Sequence, residues 1–299
     1  MPLIITEAQN IAVDERHSAV LVRYTEENPD NTVAAIIADN TEQTWQPDRE
    51  RPETLANTVQ GKISEEILQT YLKRYHPEIN VLSYDEIRND RFKKHSPFDH
   101  LVWVGERDIG SVTASVRNDI TNTVGRYVSL SAETISLCRR ENVKIIEVKS
   151  TQITYRHKSK CSFVRGGYRD IAQTAKLADI ILGDDFLAYP HLCRSSLQHS
   201  FSEADYISLL RSRGINVSGV GEMLQYERAN QTADAFVRVY IDEGERVGLI
   251  MGWIDRDSFY TAPVLKKMWQ RGKSELAVYF AVSLRRGYNI DSFRELFGS

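Results

Sequence analysis

Strand-like and helix-like stretches alternate along this chain, and the alternation predicts an α/β fold. Three observations carry the expectation. Val143 to Ser150 reads as a buried strand, with Val143, Ile145, Ile146 and Val148 as its apolar residues. Ala235 to Tyr240 and Val247 to Ile254 flank Asp242-Glu243-Gly244-Glu245 and read as a β-hairpin. Ile63, Ile67, Tyr71 and Tyr75 recur every four residues, with Leu68 and Leu72 beside them, which is the period of a helix.

The remaining elements follow in chain order. Residues 1–56 read as a β-rich extension. Ala19 to Tyr24 and Thr32 to Ile37 are its strands, and a turn-rich segment around Pro29 lies between them. Asp39 to Thr54 is polar, carries Pro47 and Pro52, and reads as a linker. A helix is expected over Ile63 to Tyr75. Asp85 to His95 is highly charged and reads as loop or short helix, and Ser96 to Val104 runs into a strand with Asp99 at its start. Helices are expected over Ser131 to Arg140, Gly167 to Ala178 and Glu203 to Arg213, the last ended by Gly214. Ile180 to Leu182 is a short strand candidate. From Pro263 the tail reads as mostly helical, interrupted at Gly272 and Gly287.

Composition sets the broad class. Of 299 residues, 41% are hydrophobic and 26% charged, the balance of a soluble globular protein. No apolar run approaches the ~18 residues of a membrane span, and Met1 to Glu7 lacks the pattern of a signal peptide. Cys138, Cys161 and Cys193 are odd in number and far apart, so a reducing, cytoplasmic location is expected. A net charge of −3 argues against a generic nucleic-acid coat. Positive charge is nevertheless local: Arg139 to Arg169 holds nine basic residues against two acidic ones.

That patch surrounds the most informative residues of the chain. Side chains on a strand alternate faces, so Glu147 and Lys149 project from the same side of the apolar run. A carboxylate and an amine paired at a strand end suit a metal-dependent phosphodiesterase, in which the acid holds the cation and the lysine handles the attacking water. Mg²⁺ takes one or two carboxylates and keeps several waters. Asp99 and Glu147 supply two if their strands pair antiparallel, and the Val148 carbonyl is a further candidate ligand. On the helical wheel Glu65 lies at the edge of the apolar stripe, while Glu66 lies nearly opposite it.

Pro97-Phe98-Asp99 followed by Glu147-Val148-Lys149 resembles the PD-(D/E)XK nuclease superfamily, which includes restriction endonucleases. Gln60 to Glu65 resembles the helix that often carries an additional acidic residue there, and Val237 to Phe259 resembles the closing hairpin of some restriction-enzyme-like proteins. The resemblance spans residues 57–262 and leaves 263–299 as a separate tail. It implies a mixed central sheet flanked by helices. It further implies Mg²⁺-dependent DNA cleavage, with Mn²⁺ as a substitute, in defence against foreign DNA. Asp99 and Glu147 would hold the metal, Lys149 would be the catalytic lysine, and Glu65 an accessory ligand. The chain departs from the pattern at Phe98, which separates Pro97 from Asp99. The 47 residues between Asp99 and Glu147 also require an insertion over 105–142, and Asp108 and Asp119 are fallback carboxylates.

Basic residues just after the motif suit phosphate contacts that position DNA without reading its sequence. Arg156, Lys158, Lys160, Arg165 and Arg169 are the candidates, with Gln173 and Lys176 facing the site from their helix. Duplex DNA is the expected partner. A homodimer is expected because cutting both strands takes two sites. The alternatives are an RNA-directed or structure-specific nuclease, and a nuclease-like fold that only binds DNA or a partner.

Overall fold

A computed structural model describes residues 3–26, 51–161, 163, 166–193, 195–196, 200–269 and 276–298. Its centre is a mixed seven-stranded sheet in the order β1-β2-β9-β8-β5-β4-β3. These strands are β1 (Leu3–Ala12), β2 (Ser18–Glu26), β3 (Ile79–Ser83), β4 (His100–Val104), β5 (Lys144–Gln152), β8 (Ala235–Asp242) and β9 (Val247–Asp255). Only β5 and β8 pair parallel; every other neighbouring pair is antiparallel. A smaller sheet joins β10 (Val264–Trp269), β11 (Leu276–Ser283) and β6 (Asp185–Ala188), with the two-residue β7 (Ser195–Ser196) beside β11. Among the described residues no helix is long and apolar enough to cross a membrane.

Alternation decides what covers each face. Val237, Val239 and Ile241 of β8 join Ile146 and Val148 on one side. Helix α1 (Arg51–Tyr75) packs there through Ile63, Ile67, Leu68 and Leu72. Each such side chain contributes about 1.5–3 kcal/mol on full burial, which holds α1 to the sheet. Phe236 and Tyr240 point the other way. They meet α6 (Ile171–Ile181), α7 (Glu203–Ser212), α8 (Val220–Asn230) and the apolar side of β11. Near the β3 edge, α3 (Gly110–Asn122) and α4 (Ala132–Arg140) cover Leu101 and Ile145. These two helices are the insertion that the Asp99–Glu147 spacing required. The short helices α2 (Tyr84–Ile87), α5 (Tyr155–Lys160) and α9 (Arg256–Phe259) sit at strand ends.

Several elements differ from the sequence reading. The β-rich start is realised by β1 and β2, which extend the main sheet through the β2–β9 pairing. The expected second strand over 32–37 lies outside the described residues, as do 39–50 of the expected linker. Residues 51–54 are already helical, so the boundary at residue 56 falls inside α1. Ile180 and Ile181 complete α6 rather than forming a strand, because the Thr174, Leu177, Ala178 and Ile181 stripe carries the helix on. The tail from Pro263 forms β10 and β11 before short 3-10 turns over Leu284–Arg286 and Ile290–Phe297. Its central segment, Leu276 to Ser283, is held in a strand by pairing with both β10 and β6.

One buried acid gives the fold a pH dependence. Glu227 of α8 is 1% exposed and accepts hydrogen bonds from the Tyr206 hydroxyl and the His191 amide. Burial pushes its carboxyl up to about 7. A folded pKa above the unfolded one stabilises fully below the unfolded value, and that stability is lost as pH rises through the folded value. The loss is on the order of 3 kcal/mol between roughly pH 4.5 and pH 7. Melting temperatures across pH 5 to 8 are expected to fall in the parent and to fall less in Glu227→Gln. Equal slopes would rule out Glu227 as the source.

Candidate active site

The β4–β5 ladder sets the geometry. His100 pairs with Ile146 and Leu101 with Ile145, so the next step back along β4 brings Asp99 opposite Glu147. Asp99 is clamped there three ways. Its amide donates to the Ile146 carbonyl at 3.0 Å, its carbonyl accepts from the Tyr84 amide at 2.8 Å, and its Oδ2 accepts from the Val148 amide at 2.6 Å. Backbone groups of alternate residues point to the same strand edge. The Val148 carbonyl therefore shares the edge that its amide presents to Asp99, just past the end of β4.

Lys149 projects beside Glu147 as the strand period requires, and its ammonium donates to the Glu147 carboxylate. The same ammonium lies 5.0 Å from the centre of the Tyr189 ring. From α1, Glu65 takes a hydrogen bond from Lys62 at 2.6 Å, and Lys62 also reaches Asp85 at 2.8 Å. Gln60 ties the same helix to β5 through Ser150 at 3.2 Å. The side chains of Glu65, Glu147 and Lys149 keep 17%, 24% and 21% of their exposure, so the cluster is open to solvent at its rim.

The electrostatics are those of a site short of positive charge. Burial first, then the charges of Glu147 and Glu65, hold the Asp99 carboxyl well above the usual carboxylate range. Burial also raises Glu65, against the opposing pull of Lys62. Burial works to discharge Lys149, but Glu147, Tyr189 and Asp99 together outweigh it and raise its pKa. His100 beside Asp99 is wholly buried, and burial and Lys62 push it down to about 3, so it adds no charge near neutrality. Three carboxylates thus share two lysines, one of which Asp85 also claims.

Among the described residues no group of three or more His, Cys, Asp or Glu side chains is arranged to hold a metal ion. Two carboxylates and a carbonyl fall below that count, yet they are an all-oxygen set of the kind that Mg²⁺ completes with water. The raised Asp99 carboxyl is the observation that fits a cation, since added positive charge would relieve it.

The other expected residues are dispersed. Arg156 and Lys160 are exposed on α5, and Arg169 and Lys176 are also exposed. Arg169 sits in a 3-10 turn ahead of the α6 N-cap, Asp170, and so does not share a helix face with Gln173 and Lys176. Gln173 is half-buried, with an Oε1 that has no hydrogen-bond partner. Lys158 is paired with the Asp242 carboxylate and lies 5.9 Å from the Tyr168 ring centre, which commits it to the fold. Arg165 lies outside the described residues. Both fallback acids have structural work: Asp108 accepts from the Gly110 amide, and Asp119 accepts from the Ser131 amide and the Thr134 hydroxyl.

Sequence reasoning missed Lys62, Asp85 and Tyr189. Lys62 had a local signal, standing three residues before Glu65 on one helix. Tyr189 had none, because its contact with Lys149 spans the two sheets. No family model, no curated protein and no solved structure matches the chain.

Proposed function

We propose that this chain is a Mg²⁺-dependent endonuclease that hydrolyses DNA phosphodiester bonds. One observation carries the reading: Asp99, Glu147, Lys149 and Glu65 come together where β4 begins, beside the middle of β5 rather than its end, although they come from three separate stretches of the chain. An ordinary ion pair on β5 alone accounts for Glu147 and Lys149. It does not account for two further acids brought against them in a buried setting, where like charges repel.

A divalent cation, when bound, supplies water activation and neutralises charge that grows on the phosphate. Asp99, Glu147 and the Val148 carbonyl are the groups that would hold it. The Lys149 ammonium donates to the scissile phosphate and orients the attacking water. Glu65 anchors Lys62 and offers an acceptor for that water at the rim. Arg156, Lys160 and Arg169 suit backbone contacts outside the site, and a homodimer would supply the second cut of a duplex.

The test is nicking of supercoiled plasmid by the full chain with Mg²⁺ or Mn²⁺ and with chelator. Cation-dependent conversion to open-circular and linear forms is expected. Cleavage confined to RNA or to branched DNA would move the substrate class. Binding without cleavage of any of these would replace the enzyme by a binding module.

A further inference from the structure

Arg238 stands beside Lys149. The parallel register sets Lys149 against Arg238 and Thr151 against Tyr240, so these four side chains issue from one face of the sheet. Arg238 is 4% exposed. Its Nη2 donates to the Thr151 hydroxyl at 2.6 Å and reaches the Tyr240 hydroxyl at 3.5 Å, and the guanidinium carbon lies 5.0 Å from the Tyr240 ring centre. Its Nε is buried with no hydrogen-bond partner. Asp184 acts on it from beyond Tyr240, whose hydroxyl donates to that carboxylate, and His157 lies 3.8 Å from the same carboxylate.

Arginine stays charged at any working pH and presents five donors in a rigid fork matched to oxyanions. A guanidinium taken out of water, hydrogen-bonded only to neutral hydroxyls and with an unused donor, is costly, and the cost falls when a further anion joins it. The ladder also breaks here. Arg238 pairs with Gly252 and Val239 with Ile250, so β9 carries one extra residue, Met251, next to Arg238. We propose that Arg238 is an anion-holding residue that, with Lys149, takes an oxygen of a phosphate group. That the phosphate belongs to a nucleic-acid backbone rests on the nuclease reading; the anion seat itself does not.

The experiment measures binding alone, without divalent cation. A fluorescent single-stranded oligonucleotide is titrated against the full chain at several salt concentrations, and inorganic phosphate is followed through the arginine Nε–H resonances. Arg238→Met is expected to weaken oligonucleotide binding at least tenfold and to lower the salt slope by about one contact. Arg238→Lys is expected to keep the slope and recover only part of the affinity. In the parent, phosphate shifts the Arg238 Nε–H signal, a readout that holds even if Arg238→Met fails to fold. Parent-like affinity and slope in folded Arg238→Met overturn the proposal, as does an Nε–H signal that phosphate leaves unmoved. A parent that binds but never cuts defeats the nuclease reading and leaves this one standing. A parent that cuts, with an Arg238→Met variant that binds as tightly, defeats this one alone.

Discussion

Glu147→Gln is expected to lower divalent-cation-dependent plasmid cleavage by at least ~10²–10³-fold, the scale of removing a preorganised electrostatic group, while the melting temperature stays near that of the parent. The substitution keeps the shape of the side chain and an oxygen for the Lys149 ammonium to meet. It removes the charge opposite Asp99. Stability should hold because Glu147 is one of several acids crowded together, and its charge is among those that raise Asp99 and Glu65. Lys149→Met is expected to cost cleavage comparably and also to cost stability, since it strips Glu147 and Asp99 of their shared counter-charge. Glu65→Gln should cost less, because Glu65 is tied to Lys62 and reaches the cluster only from its rim. The check is initial nicking rates beside circular-dichroism melts of the same samples. Parent-like rates in folded Glu147→Gln would remove the site assignment altogether.

The largest effect on stability is expected from backbone geometry rather than charge, at Gly252→Ala. Gly252 has φ +123°, a conformation L-residues rarely adopt. An added Cβ would lie 2.3 Å from the Tyr288 carbonyl oxygen. That oxygen accepts from the Trp253 amide at 2.9 Å, and the Tyr288 amide donates back to the Trp253 carbonyl at 2.7 Å. Backbone strain of about 1–3 kcal/mol, with both hydrogen bonds disturbed at about 1 kcal/mol each, gives a loss of roughly 3–5 kcal/mol. Urea unfolding with an unchanged m-value would measure it. A loss under about 1 kcal/mol would mean that the C-terminal segment is not held as described. Because Gly252 faces Arg238 across the β8–β9 ladder, any retained fold should also bind anions less well.

The parts of the fold that could be read in advance are those whose pattern is set by burial alone. β5 buries Ile145, Ile146 and Val148, which mark it as a strand in spite of the charges between them, and the β8–β9 hairpin carries its own turn residues. Asp99 was legible as a partner of Glu147 because β4 begins one residue later, and antiparallel register then fixes the match. The tail was misread because Leu-Ala-Val-Tyr-Phe-Ala-Val is apolar throughout and has neither a helix period nor a strand period; β10 and β6, both remote in sequence, decide it. Lys158 was read as a phosphate contact because its partner, Asp242, lies far off in sequence on a different strand. Asp85 looked like one charge in a polar loop until the Ser83–Glu86 capping box placed it beside Lys62. Nothing local announces Arg238, which lies within a fully buried strand and gains meaning only from the parallel register with β5.

The mid-sheet position of β5 also bears on how the protein is made. Glu65, Asp99, Glu147 and Lys149 all lie in the first half of the chain, yet one of the two edges of β5 is closed by β8, just ahead of which Asp234 accepts from the Ile145 amide across a separation of 89 residues. A ribosome therefore releases every acid and lysine of the cluster well before it releases the strand that closes the second edge of β5. The nascent chain holds both strands that bring Asp99 to Glu147, whereas Arg238, on the other edge of β5, arrives only with β8.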